Sequence, residues 1–140
     1  MALKEQVGNP YSVGLNNVGS YQVSGIPYIT GSAALGQDSE HKIEFPYVAR
    51  SVCVINHSST PIRVHFYPKA IDRVIDGLHY VELDSDEDSY TFNVKCKEVY
   101  VSTPNTAGTR EYRVVAELTN IPTSRMYNLS SSLDGVGITQ

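Results

Sequence analysis

Short β-patterned segments follow one another from Tyr21 to Leu118, with turn-rich gaps between them and no sustained helical period. A strand alternates its side chains between two faces, so each such segment assigns its own inward residues. Residues 61–67 send Ile62, Val64 and Phe66 inward and Arg63, His65 and Tyr67 outward. Residues 110–118 are the longest alternator: Tyr112, Val114, Ala116 and Leu118 face in, against Glu111, Arg113 and Glu117. In residues 89–94, Tyr90, Phe92 and Val94 oppose Thr91 and Asn93. In 97–102, Val99 and Val101 face in, which leaves Tyr100 outside. The run Arg50-Ser51-Val52-Cys53-Val54-Ile55-Asn56 is apolar on both sides, which predicts a central strand covered front and back.

The remaining segments are shorter. Residues 20–24 and 27–30 are separated by Ser24-Gly25, and Gly31 with the small residues after it closes the second. Residues 41–45 place Ile43 and Phe45 on one face, and 80–83 form another strand. The stretch 69–79 holds Ile71, Val74, Ile75 and Leu78 at a spacing that fits one or two turns of helix ended by Gly77. A buried loop fits the same residues. About eight evenly spaced strands without intervening helices predict an all-β antiparallel sandwich; a single jelly roll fits, and so does a Greek-key sandwich.

With 140 residues the chain suffices for one domain with a real core. We expect an N-terminal arm over 1–18, a β-sandwich over 19–121 and a C-terminal tail over 122–140. Such arms either fray or become ordered by neighbouring subunits. Hydrophobic residues make up 41% and charged residues 19%, as in folded globular chains. The formal charge of −4 leaves no basic footprint for nucleic acid. The N-terminus has no apolar signal core and no run is long enough to span a bilayer. The expected setting is therefore cytoplasmic synthesis, and the sequons at Asn56 and Asn128 carry no expectation of glycosylation.

Chemistry-bearing patterns are few. The run Asp84-Ser85-Asp86-Glu87-Asp88 opens like a calcium loop, but Ser89 stands where Gly is needed and Lys95 where the bidentate Glu belongs. The run reads better as a solvated hairpin tip, or as a contact for a basic patch on a neighbouring subunit. His41, His57, His65 and His79 are scattered, none at ligand spacing from Cys or another His. Cys53 and Cys96 read as two free, buried thiols; a disulfide would require their Cβ atoms to meet. No nucleophile elbow, zinc-protease motif or phosphate loop is present, and the serines around Ser130 have no charged partner nearby in sequence. Neither an enzyme, nor a metal, nor a cofactor is expected.

Residues 19–32, Gly-Ser-Tyr-Gln-Val-Ser-Gly-Ile-Pro-Tyr-Ile-Thr-Gly-Ser, resemble openings of small capsid proteins of large icosahedral nucleocytoplasmic DNA viruses. Residues 41–48 and 51–56 resemble the strands that follow, and the likeness continues through 62–66. It covers about the first half of the chain. The resemblance implies a penton: a single jelly roll that plugs the fivefold vertices as a homopentamer, found in the virion and assembled in host cytoplasm. Its partners would be the major capsid protein and minor capsid proteins, with no nucleic acid and no cofactor. No large insertion separates the strands, so a plain plug without an outer receptor-binding domain is expected. Candidate subunit-contact residues are Tyr67, Tyr100, Asp84, Asp86 and Asp88. Two other readings compete. One is a carbohydrate-binding sandwich, weakened by the absence of Trp. The other is a nucleoplasmin-like pentameric chaperone, weakened by the shortness of the acidic run.

Overall fold

The structure, a computed structural model, describes residues 25–70, 72–75 and 77–126. The expected arm over 1–18, the strand at 20–24, Ile71, and the tail residues from 127 onward, with Asn128 and Ser130, lie outside these. Seven strands are seen: β1 (Ile26–Leu35), β2 (Glu40–Asn56), β3 (Ile62–His65), β4 (Val81–Leu83), β5 (Ser89–Phe92), β6 (Cys96–Ser102) and β7 (Arg110–Pro122). A one-turn helix, α1 (Asp72–Ile75), lies between β3 and β4, and a 3-10 turn covers Thr123–Arg125 after β7.

β2 is the strand that makes a sandwich of this chain. Its first half pairs with β6 over residues 40–44, and its second half lies between β7 and β5 over residues 52–55. The two halves are joined by an irregularity around Pro46, where the ladder shifts register on both edges. Pro cannot donate to a ladder, so a bulge is the place where it is tolerated inside a long strand. The Thr119 hydroxyl pins the bend by donating to the Val48 carbonyl at 2.7 Å. Counted by halves, the strands form two four-stranded sheets, β1-β7-β2-β5 and β2-β6-β3-β4, antiparallel throughout. Along the chain the segments alternate between the sheets, except that β3 and β4 are neighbours in one, as in a jelly roll. The strands expected at 41–45 and 50–56 are thus one strand, and β1 runs on through Gly31 to Leu35.

The core lies between the sheets and follows the alternation. Tyr112, Val114, Ala116 and Leu118 of β7 are buried, as are Val52 and Val54 of β2, Ile62 and Val64 of β3, and Val99 and Val101 of β6. Each fully buried side chain of this size contributes about 1.5–3 kcal/mol relative to exposure. Edge-to-face ring pairs bridge the layers: Phe66 with Phe92 at 5.4 Å and Tyr28 with Phe45 at 5.8 Å between centroids.

Four expectations are corrected. The second face of residues 50–56 is not covered: Ser51, Cys53 and Ile55 are half-buried and share an outer face with Val115 and exposed Ile29. The acidic run does not tip a hairpin, because β4 pairs with β3 and β5 with β2, so residues 84–88 cross between sheets. Tyr90 and Val94 are exposed, because β5 is an edge strand that ends at Phe92. Helix α1 is one turn, within the one or two expected, but Leu78 lies outside it, solvent-exposed with φ of 60°. The amide of Leu78 donates to Ile75 O and that of His79 to Val74 O, which makes Leu78, not Gly77, the left-handed residue of a Schellman cap. β7 runs to Pro122, and Met126 beyond it is buried.

Candidate functional site

Most chemistry-bearing side chains gather on the outer face of the β2-β6-β3-β4 sheet. The connection from β3 to β4 folds back over this face. The Lys69 amide donates to Glu40 Oε2 at 2.7 Å and its ammonium reaches Asp38 Oδ1 at 3.1 Å, so the connection spans β6 to reach the start of β2. Beneath it His65 is 1% and Tyr100 5% exposed. Both were expected outside. Alternation placed them on the outer face correctly, but a long-range connection seals that face.

His65 and Ser102 form the tightest pair there. His65 Nδ1 lies 2.5 Å from the Tyr67 carbonyl oxygen, so Nδ1 carries the proton. Nε2 then accepts from the Ser102 hydroxyl at 2.7 Å. The ring stacks on Tyr100 with 3° between planes and 5.8 Å between centroids. Burial lowers the His65 pKa below its ordinary 6.5, the Tyr67 carbonyl and Glu40 opposing. This Ser–His arrangement has the form of a nucleophile and its base. Ser102, however, is fully buried, so its hydroxyl meets no substrate while the connection is in place. The pair instead joins β3 to β6. The next link is Tyr100, whose hydroxyl donates to Glu98 Oε2 at 3.2 Å and is pushed up to about 12 by burial and by Glu98. Lys42 faces Glu98 at 3.5 Å and Glu44 at 3.6 Å. Lys42, Glu44, Phe45, Lys97, Glu98 and Thr123 line a cavity of about 190 Å³ beside the network.

The acidic run lies beyond the opposite end of β3 from Tyr67, so the structure does not bring the candidate contact residues together. Asn56, fully buried at the end of β2, organises that end. Its Nδ2 donates to the carbonyls of Thr60 at 2.8 Å, Leu83 at 3.3 Å and Asp84 at 2.7 Å. Its Oδ1 accepts from the Ser58 amide at 2.9 Å and hydroxyl at 2.6 Å. A sequon asparagine bonded this way has no nitrogen to offer a glycan. Sequence reading took this residue as a sequon and the end of a strand, although Asn followed by Ser58 two places on is also an Asx-turn signature. The loop held by Asn56 puts Asp86 and Glu87 at φ of 60° and 72°. Asp88 caps two amides, those of Asp84 at 2.8 Å and Ser89 at 3.0 Å, and His57 meets Glu87 at 2.5 Å. Among the described residues no three His, Cys, Asp or Glu side chains converge as metal ligands.

Two further groups complete the survey. Arg110 is fully buried; its Nη1 donates to Thr106 O and Gly108 O, each at 2.9 Å, while Nε and Nη2 have no partner. The cysteines are both free, as expected. Cys96 lies in the core, where burial pushes its thiol up to about 12. Cys53, expected to be buried too, is half-buried on the outer face of the other sheet.

No family model and no curated protein matches the chain. Similar solved structures include a de novo designed double-stranded β-helix, 12% identical, which covers 66% of this chain and 99% of its own with a TM-score of 0.40. Another is a chain from the disulfide-linked pili of Bacillus endospore appendages, 11% identical, covering 69% of this chain and 88% of its own with a TM-score of 0.43. At those identities and scores neither bears on what this chain does.

Proposed function

We propose that the chain is a structural subunit: a single jelly roll that acts by assembling, as the homopentameric penton closing the fivefold vertices of an icosahedral capsid. The observation that carries this reading is the direction in which polar chemistry points. Asn56, His65, Ser102, Tyr100 and Glu98 are turned into networks that hold loops and strands together. What faces outward is a mixed surface, charged side chains such as Glu44, Glu87 and Glu117 beside apolar ones such as Ile29 and Tyr90, the raw material of contacts between subunits. The jelly roll is a fold that capsid proteins share with lectins and other binding domains, so the fold is compatible with a penton without selecting it. The resemblance of residues 19–66 to small capsid proteins supplies the selection.

On this reading the chain has no turnover, and its partners are its own copies and the surrounding capsid proteins. The test is the mass of the purified protein together with its place in a virion. A pentamer has five times 15.4 kDa, about 77 kDa. Mass spectrometry under native conditions should find that species, and cryo-microscopy of the virus should find it at the vertices. A protein that stays monomeric and is absent from the vertices defeats the proposal.

A further inference from the structure

Among the described residues, the β1-β7-β2-β5 sheet ends in two strand edges with no neighbour, β1 and β5. Open edges are templates for pairing with another chain, and proteins that keep them open guard them with charge, proline or shortness. The other sheet follows that rule. Its edge at residues 40–44 carries Glu40, Lys42 and Glu44, and β4 is only 3 residues long with exposed Glu82. β1 does not. It runs for 10 residues, Ile-Pro-Tyr-Ile-Thr-Gly-Ser-Ala-Ala-Leu, with no charge and with Pro27 near its start as the sole guard.

The exposed apolar side chains point to the same edges. Six large hydrophobic residues stand exposed among those described. Ile26 at 45% and Ile29 at 68% belong to β1, Tyr90 at 52% to β5, and Val94 at 38% follows β5 directly. Only Tyr47 and Leu78 lie elsewhere. The strand directions also agree. Each neighbour in this sheet is antiparallel, so β1 and β5 run in opposite directions. In two copies facing the same way, β1 of one meets β5 of the next antiparallel, and the ladder continues unbroken from copy to copy.

We infer that β1 of one copy pairs with β5 of another copy of this chain, by strand addition. The contact is heterologous, so repeating it closes a ring or grows an open chain. The inference gives the proposed assembly its junction and rests on that reading only for the closure of the ring.

The test uses the full-length chain with Ile29→Lys and Tyr90→Lys, both substitutions at exposed sites, their folding checked by circular dichroism. Each alone spoils one side of every junction and should raise the dissociation constant more than about tenfold, leaving monomers by light scattering. Mixed in equal amounts they should form heterodimers, because β1 of the Tyr90→Lys chain and β5 of the Ile29→Lys chain are both intact. Assembly of Tyr90→Lys on its own as in the natural chain, or no heterodimer on mixing, overturns the inference. If a variant fails to fold, amide exchange of the natural chain decides. Protection rising with concentration in residues 26–35 and 89–92 supports the junction, and exchange there that ignores concentration overturns it. Open chains of mixed length in the natural protein, dissolved by the same substitutions, support the junction while defeating the pentameric ring. A pentamer untouched by either substitution does the reverse.

Discussion

Two residues test the internal networks. Asn56 serves three carbonyls and two Ser58 groups from a position without solvent. Removing such a group leaves its buried partners unsatisfied, at about 1–3 kcal/mol for each stranded group. Asn56→Ala should therefore lower stability by roughly 2–4 kcal/mol in urea unfolding. A loss within the ~0.5 kcal/mol typical of surface substitutions would show that water replaces the amide at little cost. His65 sets a pH dependence. Its folded pKa lies below 6.5, so the unfolded chain takes up the proton first. The stability linked to His65 is fully present above pH 6.5 and is lost as pH falls from there toward the folded pKa. His65→Gln should flatten that slope below pH 6.5. An unchanged slope would assign the effect to other groups.

The strands were largely legible in the sequence, because alternation is a local signal. It placed Tyr112, Val114, Ala116 and Leu118 in the core and Val99 and Val101 beside them. It also put His65 and Tyr100 on the right sheet face. What it could not carry is the second layer over that face, since the bond from Lys69 to Glu40 joins residues 29 apart in sequence. The continuity of β2 was hidden for a related reason. Pro46 looks like a terminator unless a bulge absorbs it, and the bulge depends on β6 and β7 on its two sides. Of the contact residues proposed from sequence, Tyr100 is buried, Tyr67 half-buried, and Asp84, Asp86 and Asp88 are exposed, with Asp88 capping amides of its own loop.

Two further outcomes belong to the elements. A side chain at Gly31 would run into the Tyr112 carbonyl oxygen and come within 2.8 Å of Arg113 Cδ, both on β7. Gly31→Val should therefore push β1 off β7 and cost about 1–3 kcal/mol, read by thermal unfolding. A melting temperature unchanged from the natural chain would mean that β1 shifts freely. The cysteines report the two faces of the strands. Under native conditions a thiol reagent should modify Cys53 and leave Cys96 intact until the chain unfolds, because Cys96 is fully buried and its thiol is pushed up to about 12. Equal reaction of both would contradict the packing of β6.

At the scale of the whole molecule, the chain is a sandwich with two unlike outer faces. One is covered by the connection between β3 and β4 over His65, Ser102 and Tyr100, and open at Lys42 and Glu44. The other is uncovered among the described residues, with Ile29, Val115, Cys53 and Ile55 across it beside the charged Glu111, Arg113 and Glu117, and an unguarded edge on β1. Buried polar groups are tied into the molecule's own loops and strands, and four of the six exposed large hydrophobic residues among those described lie on or beside β1 and β5; on the proposed reading these are the groups that meet other copies of the chain. The most direct measurement of that claim is the mass of the natural chain in solution under native conditions. The account predicts one dominant species of five chains, about 77 kDa from five times 15.4 kDa. A single species of 15.4 kDa that persists as the protein is concentrated would contradict it.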